Sequence, residues 1–336
     1  MRKLVRKIAS LVHSERLFKM TTLGKTLMVA NPTAQSGKGL QAAIHATQAF
    51  ETVLGKQNFD VEYTQSAWHA AEIVEHMSDD YQTLVVLGGD GVIHEAANGM
   101  MKRQPQDRPV FSIIPVGSGN DYAKSLGISE KIDKAIQQTL LYNVQPADVG
   151  CVNGEYFVET LSFGLDAAIA IDTMERRKYT DKKGAALYFE SGMDILRNHL
   201  DIYEYDLAAK DVEPLGEHEL KFLEGQSVCD ESLMFAVQIG RTYGGGFIIC
   251  PEAKIDDGLF DVCIAHPKLS VASAIAVFAI AMKGHHTGLK RMEFGRCSGM
   301  KLSFNMAPPC QADGEKIEAK DFDISMNKHA LRVVKG

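Results

Sequence analysis

The chain has one tryptophan in 336 residues, ten prolines, and six cysteines with no Cys-x-x-Cys pair among them. Scattered cysteines (Cys151, Cys229, Cys250, Cys263, Cys297, Cys310) exclude a disulfide framework or a zinc ribbon and point to a reducing compartment, by default the cytoplasm. The longest uncharged apolar run, Leu269 to Met282, spans about 14 residues against the roughly 20 that a membrane helix needs. It reads as a packed helix. A net charge of -7 argues against nucleic acid as a partner. The basic start, Met1 to Val12, lacks the continuous apolar stretch of a signal peptide. It puts Leu4, Ile8 and Leu11 on one helical face, which suits an anionic membrane surface, or else it is a disordered extension before a fold that starts near Lys25. No internal repeat or low-complexity segment is present.

What the chain does have is glycine at particular places. Gly88-Gly89-Asp90-Gly91 follows the apolar run Thr83-Leu84-Val85-Val86-Leu87 and precedes the helix-like Val92-Ile93-His94-Glu95-Ala96-Ala97-Asn98. Glycines let backbone N–H groups approach an anion, a helix start adds its positive dipole end, and Asp90 offers a carboxylate to phosphate-bound magnesium. A second turn of this kind, Val116-Gly117-Ser118-Gly119-Asn120-Asp121, follows Phe111-Ser112-Ile113-Ile114-Pro115. In a parallel sheet both turns and the earlier Asn31-Pro32-Thr33-Ala34-Gln35-Ser36-Gly37-Lys38 lie on one edge.

Other motifs fail on spacing. A Walker A loop is excluded because Lys19 stands where Gly24-Lys25-Thr26 needs a glycine, and Gly39 follows Gly37-Lys38. Gly37-Lys38-Gly39-Leu40-Gln41-Ala42 fits the loose dinucleotide pattern but begins several residues past its strand. His94-Glu95-Ala96-Ala97-Asn98 has Asn98 where zinc would need a second histidine.

With these blocks in view the sequence resembles the diacylglycerol kinase catalytic family, especially its soluble bacterial lipid kinases, over roughly residues 25–334. The blocks stand in family order: Asn31-Pro32-Thr33 with Ser36-Gly37-Lys38, Gly88 to Gly91 with Glu95 and Asn98-Gly99, Pro115 to Asp121, and Ala147-Asp148-Val149-Gly150. In the second half, Tyr243-Gly244-Gly245-Gly246, Pro251 to Asp261 and Asp313-Gly314-Glu315 continue the series. The resemblance implies ATP and Mg2+ as cofactors and a lipid as substrate, diacylglycerol being the family's default. It implies a nucleotide pocket lined by Asn31, Pro32, Thr33, Thr64, Gly88, Gly89, Asp90, Gly91, Val92, Ile93, His94, Glu95, Gly117, Ser118 and Asn120. Glu315 would be the general base, with Asp313 beside it, Asp90 at the phosphates and Asp148 supporting the magnesium network. A structural magnesium site would use the carbonyl of Lys254, the carboxylate of Asp257 and the carbonyl of Leu259; read without the resemblance, Asp256-Asp257-Gly258 is a common turn. Two residues depart from the family pattern: Val92 replaces a threonine, removing a hydroxyl from the phosphate turn, and Ser118 replaces another threonine.

The expected architecture is α/β plus β. A basic extension covers 1–24, and a doubly wound nucleotide-binding domain over 25–145, like those of phosphofructokinases and NAD kinases, has strands near 26–31, 58–64, 83–87 and 111–115. An antiparallel β-sandwich follows over 146–334, interrupted by helices near 184–199 and 271–284. If the family mechanism holds, Asp313-Gly314-Glu315 must meet Asp90, which would make the interdomain cleft the active site. Transient association with the inner membrane face is expected during turnover, and a homodimer is an open alternative to a monomer. Gly284-His285-His286-Thr287 reads as solvated histidines at a helix end, and Arg176-Arg177-Lys178 with Lys182-Lys183 as a solvated helix face or a headgroup contact. Trp68, His69 and Glu72 share a face without a third ligand. Besides a lipid kinase, the residues admit a kinase of a soluble acceptor, since NAD kinases and phosphofructokinases share the Gly-Gly-Asp-Gly turn, and a catalytically silent binding module.

Overall fold

The computed structural model describes residues 23–182, 184–215 and 225–336, without the side chain of Ser36. The basic segment before Leu23 and Lys183 lie outside the described residues. The chain divides into two compact units, one of the described residues up to Ala147 with Ala330–Gly336, the other Asp148–His329.

Continuous apolar runs build the first unit, because strands covered on both faces need no polar alternation. Every residue is buried in Thr26–Ala30 (β1), Thr83–Gly88 (β3) and Val110–Pro115 (β4), while Phe59–Tyr63 (β2) alternates as an edge strand does. The four pair in parallel in the order β4-β3-β1-β2, and Val333, near the end of the chain, lies beside Phe111 on the far side of β4. Helix α1 (Ala34–Leu54) buries Ala42, Ala43, Ala46, Ala49 and Phe50, a helical spacing, and stops at Gly55, whose φ of 81° suits glycine. It shares one face of the sheet with α5 (Ile132–Leu141), while α2 (His69–His76) packs on α3 (Asp90–Lys102); a short α4 (Asp121–Ser125) follows β4. The chain moves outward from β1 to β2 and returns past β1 to β3, so strand order reverses between β1 and β3. Parallel α/β sheets open a crevice for ligands at such a reversal, outside the carboxyl ends of the strands.

The second unit is a two-layer antiparallel sandwich. Its strands are β5 (Val144–Val152), β6 (Glu155–Phe157), β7 (Thr160–Gly164), β8 (Tyr203–Lys210), β9 (Glu213–Pro214), β10 (Ser227–Ser232), β11 (Met234–Gln238), the short pair β12 (Thr242–Tyr243) and β13 (Phe247–Ile248), β14 (Phe260–Ala265), β15 (Met292–Cys297), β16 (Gly299–Phe304), β17 (Cys310–Ala312), β18 (Glu315–Lys316) and β19 (Asp321–Val334). One layer runs β18-β17-β7-β11-β14-β15-β9; the other runs β10-β8-β16 and on to the first residues of β19. Aromatic rings join them: Phe163 of β7 meets Phe304 and Phe322 at 5.4 and 4.7 Å, and Tyr205 of β8 meets Phe235 of β11 at 5.4 Å. The alternate residues Met234, Ala236, Cys263, Ala265, Met292 and Phe294 face the other way, against α6 (Leu165–Arg176), α7 (Gly184–Asn198) and α8 (Val271–Ala281). The expected α/β-plus-sandwich fold is what the chain adopts.

The basic cluster between α6 and α7 is paired with acids. Arg176 bridges Asp172 and Asp194, Lys178 meets Glu175, and Lys182 meets Glu190. His286 corrects the sequence reading: it is fully buried and its Nε2 donates to the carbonyl of Ile249 at 3.0 Å, because the chain after α8 folds its second histidine under the sheet.

Asp166 in the first turn of α6 is 3% exposed, and burial pushes its carboxyl from 3.8 up to about 7, with nearby Ser162 and Tyr243 offsetting this only in part. The folded state thus holds a proton that the unfolded chain gives up near pH 4, so this group favours folding at low pH and ceases to do so as pH rises through about 7. Asp166→Asn should raise the melting temperature more at pH 8 than at pH 5, by a difference on the order of a few kcal/mol in stability. Equal gains at both pH values would overturn the assignment.

Candidate active site

Four loops leave the carboxyl ends of the strands in the first unit. After β1, Asn31 accepts on Oδ1 from both the N–H and the hydroxyl of Thr33, at 3.0 and 2.8 Å, which closes Asn31-Pro32-Thr33 into a turn before α1. Thr64 follows β2 and donates its N–H to the carbonyl of Ala30 at 3.0 Å. After β3, Gly89 caps α3 without any side-chain hydrogen bond, and Asp90 puts a carboxylate in the first turn of the helix.

The loop after β4 is tied to the loop after β3. The Asp90 carboxylate accepts from the backbone N–H of Asn120 at 2.7 Å and of Asp121 at 2.8 Å. Asn120, in the left-handed conformation at φ 56°, clamps its own turn by accepting from Gly117 N–H at 2.7 Å and donating to Gly117 O at 3.0 Å. The glycines are needed because the loops nearly touch. A Cβ on Gly117 would lie 2.5 Å from the Cα of Gly89, and one on Gly119 would lie 2.6 Å from Asp90 Oδ2. Gln35 donates to the carbonyl of Gly117, and Lys124 Nζ to that of Gly119 at 2.6 Å. Neither residue stands out in the sequence, since a single Gln or Lys carries no spacing signal.

Val92 is explained by the same crowding. Its Cγ1 fills the space that a Cβ on Gly88 would enter, 2.2 Å away, and the residue is 6% exposed. Ile93 and His94 are likewise buried, with His94 edge-on to the Trp68 ring at 5.6 Å, so residues 92–94 turn their side chains into the unit. Glu95 accepts from Ala70 N–H at 3.2 Å at the start of α2. Ser118 is half-buried at the loop crest.

In the second unit Asp313-Gly314 forms the two-residue turn between β17 and β18, with φ of 49° and 99°, the doubly positive pattern that favours Asp-Gly in hairpins. Asp313 accepts from Val158, Glu159 and Thr160 N–H at 2.8 to 3.0 Å, and Gly314 N–H is held by Gln311 Oε1. Glu315 therefore leaves a fixed turn as the first residue of β18, half-buried. Asp148 Oδ1 and Oδ2 each accept at 2.6 Å, from His329 and Gly258 N–H, and burial raises its pKa. It is brought to the Asp256-Asp257-Gly258 turn, where Asp257 Oδ1 accepts from Leu259 N–H at 3.1 Å and Lys328 Nζ donates to the Asp257 carbonyl at 3.0 Å.

No three acidic, histidine or cysteine side chains converge as a metal cage among the described residues. Magnesium in phosphoryl-transfer sites is commonly held by one or two carboxylates, water and the substrate's phosphates, a role the Asp90 carboxylate fits.

Gly117→Ala is expected to force the two loops apart, lowering the melting temperature and weakening adenine-nucleotide binding at least tenfold by calorimetry, while Ser118→Ala leaves the fold intact. Unchanged affinity in Gly117→Ala would remove this loop from the site.

Comparison with known proteins agrees with this geometry. Residues 25–152 match the diacylglycerol kinase catalytic domain, and residues 160–335 the YegS C-terminal NAD kinase beta sandwich-like domain. A diacylglycerol kinase of Bacillus subtilis is 30% identical over 251 residues, covering 74% of this chain and 75% of its own length. A probable lipid kinase YegS-like protein of Pseudomonas aeruginosa is 26% identical over 311 residues, 92% of this chain and 93% of its own. The crystal structure of a putative diacylglycerol kinase from Bacillus anthracis superimposes with a TM-score of 0.75 at 19% identity, covering 93% and 95% of the two chains, a likeness of fold. With both units matched in order, the chain belongs to the diacylglycerol kinase family of lipid kinases.

Proposed function

We propose that the protein transfers the γ-phosphate of ATP to a lipid hydroxyl, with diacylglycerol as the first acceptor to test and phosphatidic acid as its product. The observation that carries this is the paired-loop cradle: an uncapped α3 N-terminus and two abutting glycine turns joined by the Asp90 carboxylate. Backbone N–H groups there would receive phosphate oxygens, and Asn31 to Thr33, Thr64, Gly88 to Glu95, Gly117, Ser118 and Asn120 would frame the nucleotide. Buried side chains at 92–94 leave their backbone for that role.

Glu315 would take the proton from the acceptor hydroxyl as its oxygen bonds to the γ-phosphorus and the bond to the bridging β–γ oxygen breaks, releasing ADP. Magnesium, when bound, offsets phosphate charge beside Asp90. Asp313 acts by fixing the turn that presents Glu315. Asp257, with the carbonyls of Lys254 and Leu259, would hold a second, structural magnesium ion, and Asp148 would support the magnesium network while holding the turn that carries Asp257. Contact with a membrane surface follows from the acceptor.

Purified protein with magnesium, γ-labelled ATP and diacylglycerol in micelles should put label into the organic phase. Asp90→Ala and Glu315→Gln should each lower transfer by about 100-fold or more, the second with nucleotide affinity retained. Near-normal turnover in Glu315→Gln would refute its role as base, and label confined to water-soluble product would favour a soluble acceptor. Asp257→Ala should lower the melting temperature by about 2–4 °C, the loss of roughly one hydrogen bond, and abolish any stabilisation by magnesium alone. Loss of nucleotide binding at an unchanged melting temperature would contradict a structural site.

A further inference from the structure

Gln311 and Ser162 stand opposite each other on the antiparallel strands β17 and β7, and both are buried, at 2% and 0% exposure. Buried amides and hydroxyls are costly unless their hydrogen bonds are made. Gln311 Oε1 accepts the backbone N–H of Gly314 at 2.6 Å, and its Nε2 donates to Ser162 Oγ at 2.7 Å. A backbone N–H can only donate, so the Gly314 amide decides which end of the Gln311 side chain faces the turn. The other end is then the donor, and Ser162 Oγ receives it. That leaves the Ser162 proton for Asp166, four residues on in the first turn of α6, to which Ser162 is hydrogen-bonded. One directed chain of hydrogen bonds thus runs from α6 across β7 and β17 to the hairpin that carries Glu315.

The two turn residues of that hairpin are held separately. Asp313 is fixed by the amides of residues 158–160 on its carboxylate. Gly314, directly before Glu315, has a φ of 99°, and its amide is held by Gln311. Glycine has the widest choice of backbone torsions, so a turn anchored at Asp313 alone would leave the direction of Glu315 to Gly314. A general base must reach the proton it takes, and a displacement of about 1 Å can cost about 100-fold in rate.

We infer that Gln311, backed by Ser162 and Asp166, is a positioning residue for Glu315, locking the glycine of the turn so that the carboxylate is presented to the acceptor hydroxyl. The inference rests on the reading of Glu315 as the general base. Gln311 acts through the backbone of the turn, and Ser162 acts through Gln311.

The test is a double-mutant cycle on the full-length protein with magnesium, ATP and micellar diacylglycerol. Gln311→Met keeps the length of the side chain and removes the acceptor; it should lower kcat by about tenfold or more while KM for ATP stays within about twofold. Ser162→Ala should lower kcat in the same sense, and Ser162→Thr, which keeps the hydroxyl, should restore it. In a Glu315→Gln background, Gln311→Met should change the residual rate by less than about twofold, because the group it positions is already gone. The same loss in both backgrounds, or a rise in KM alone, would overturn the positioning role. An inactive Glu315→Gln beside a fully active Gln311→Met would overturn this inference and leave Glu315 as base, whereas a fully active Glu315→Gln would sink both. Exchange of the Gly314 amide, followed by NMR without any substrate, should quicken by about tenfold or more in Ser162→Ala; unchanged exchange would break the chain of hydrogen bonds whatever the protein phosphorylates.

Discussion

The Asp90 carboxylate, accepting two backbone N–H groups at the start of α4, is the interaction on which the candidate nucleotide site depends. A carboxylate held by two amides is a strong, short contact. It draws the loop after β4 onto the loop after β3, and at that approach a Cβ on Gly117 or Gly119 would clash. Parallel pairing makes it possible, because Leu87 and Ile114 lie in register and both strands release their loops at one edge. Asp90 thus shapes the cradle through its contacts with the two amides.

The second unit solves a comparable problem by another means. Glu315 sits on a two-residue hairpin whose Asp-Gly turn is anchored by three amides on Asp313. The first acid of that motif is spent on backbone, and the second is presented by it. Asp148 is likewise engaged by amides, from residues 258 and 329, so it organises the turn that carries Asp257. Asp166 differs in being fully buried in the first turn of α6, where burial raises its pKa.

Much of the fold was legible because the signals were local. Runs such as Thr83–Gly88 and Val110–Pro115 are continuous and apolar, as doubly covered parallel strands must be, and α7 and α8 lie where the expected helices at 184–199 and 271–284 begin. The glycine turns were legible for the same reason. The histidine pair was misread, because His286 is buried by β-strands and a helix distant in sequence, and no neighbouring residue announces it. Val92 was read as a missing hydroxyl, yet its place is set by Gly88 four residues earlier and the strand beneath it.

The sequence by itself determined which segments are strand, helix and glycine turn, the two-part architecture and the family, since these follow from periodicity, backbone freedom and contiguous blocks. Only the tertiary structure decided which acids serve the backbone, and that His286 is buried beneath the sheet. Hydrogen-bond partners and burial are properties of residues brought together across the chain, as Asp313 with residues 158–160 and Asp148 with residues 258 and 329 illustrate.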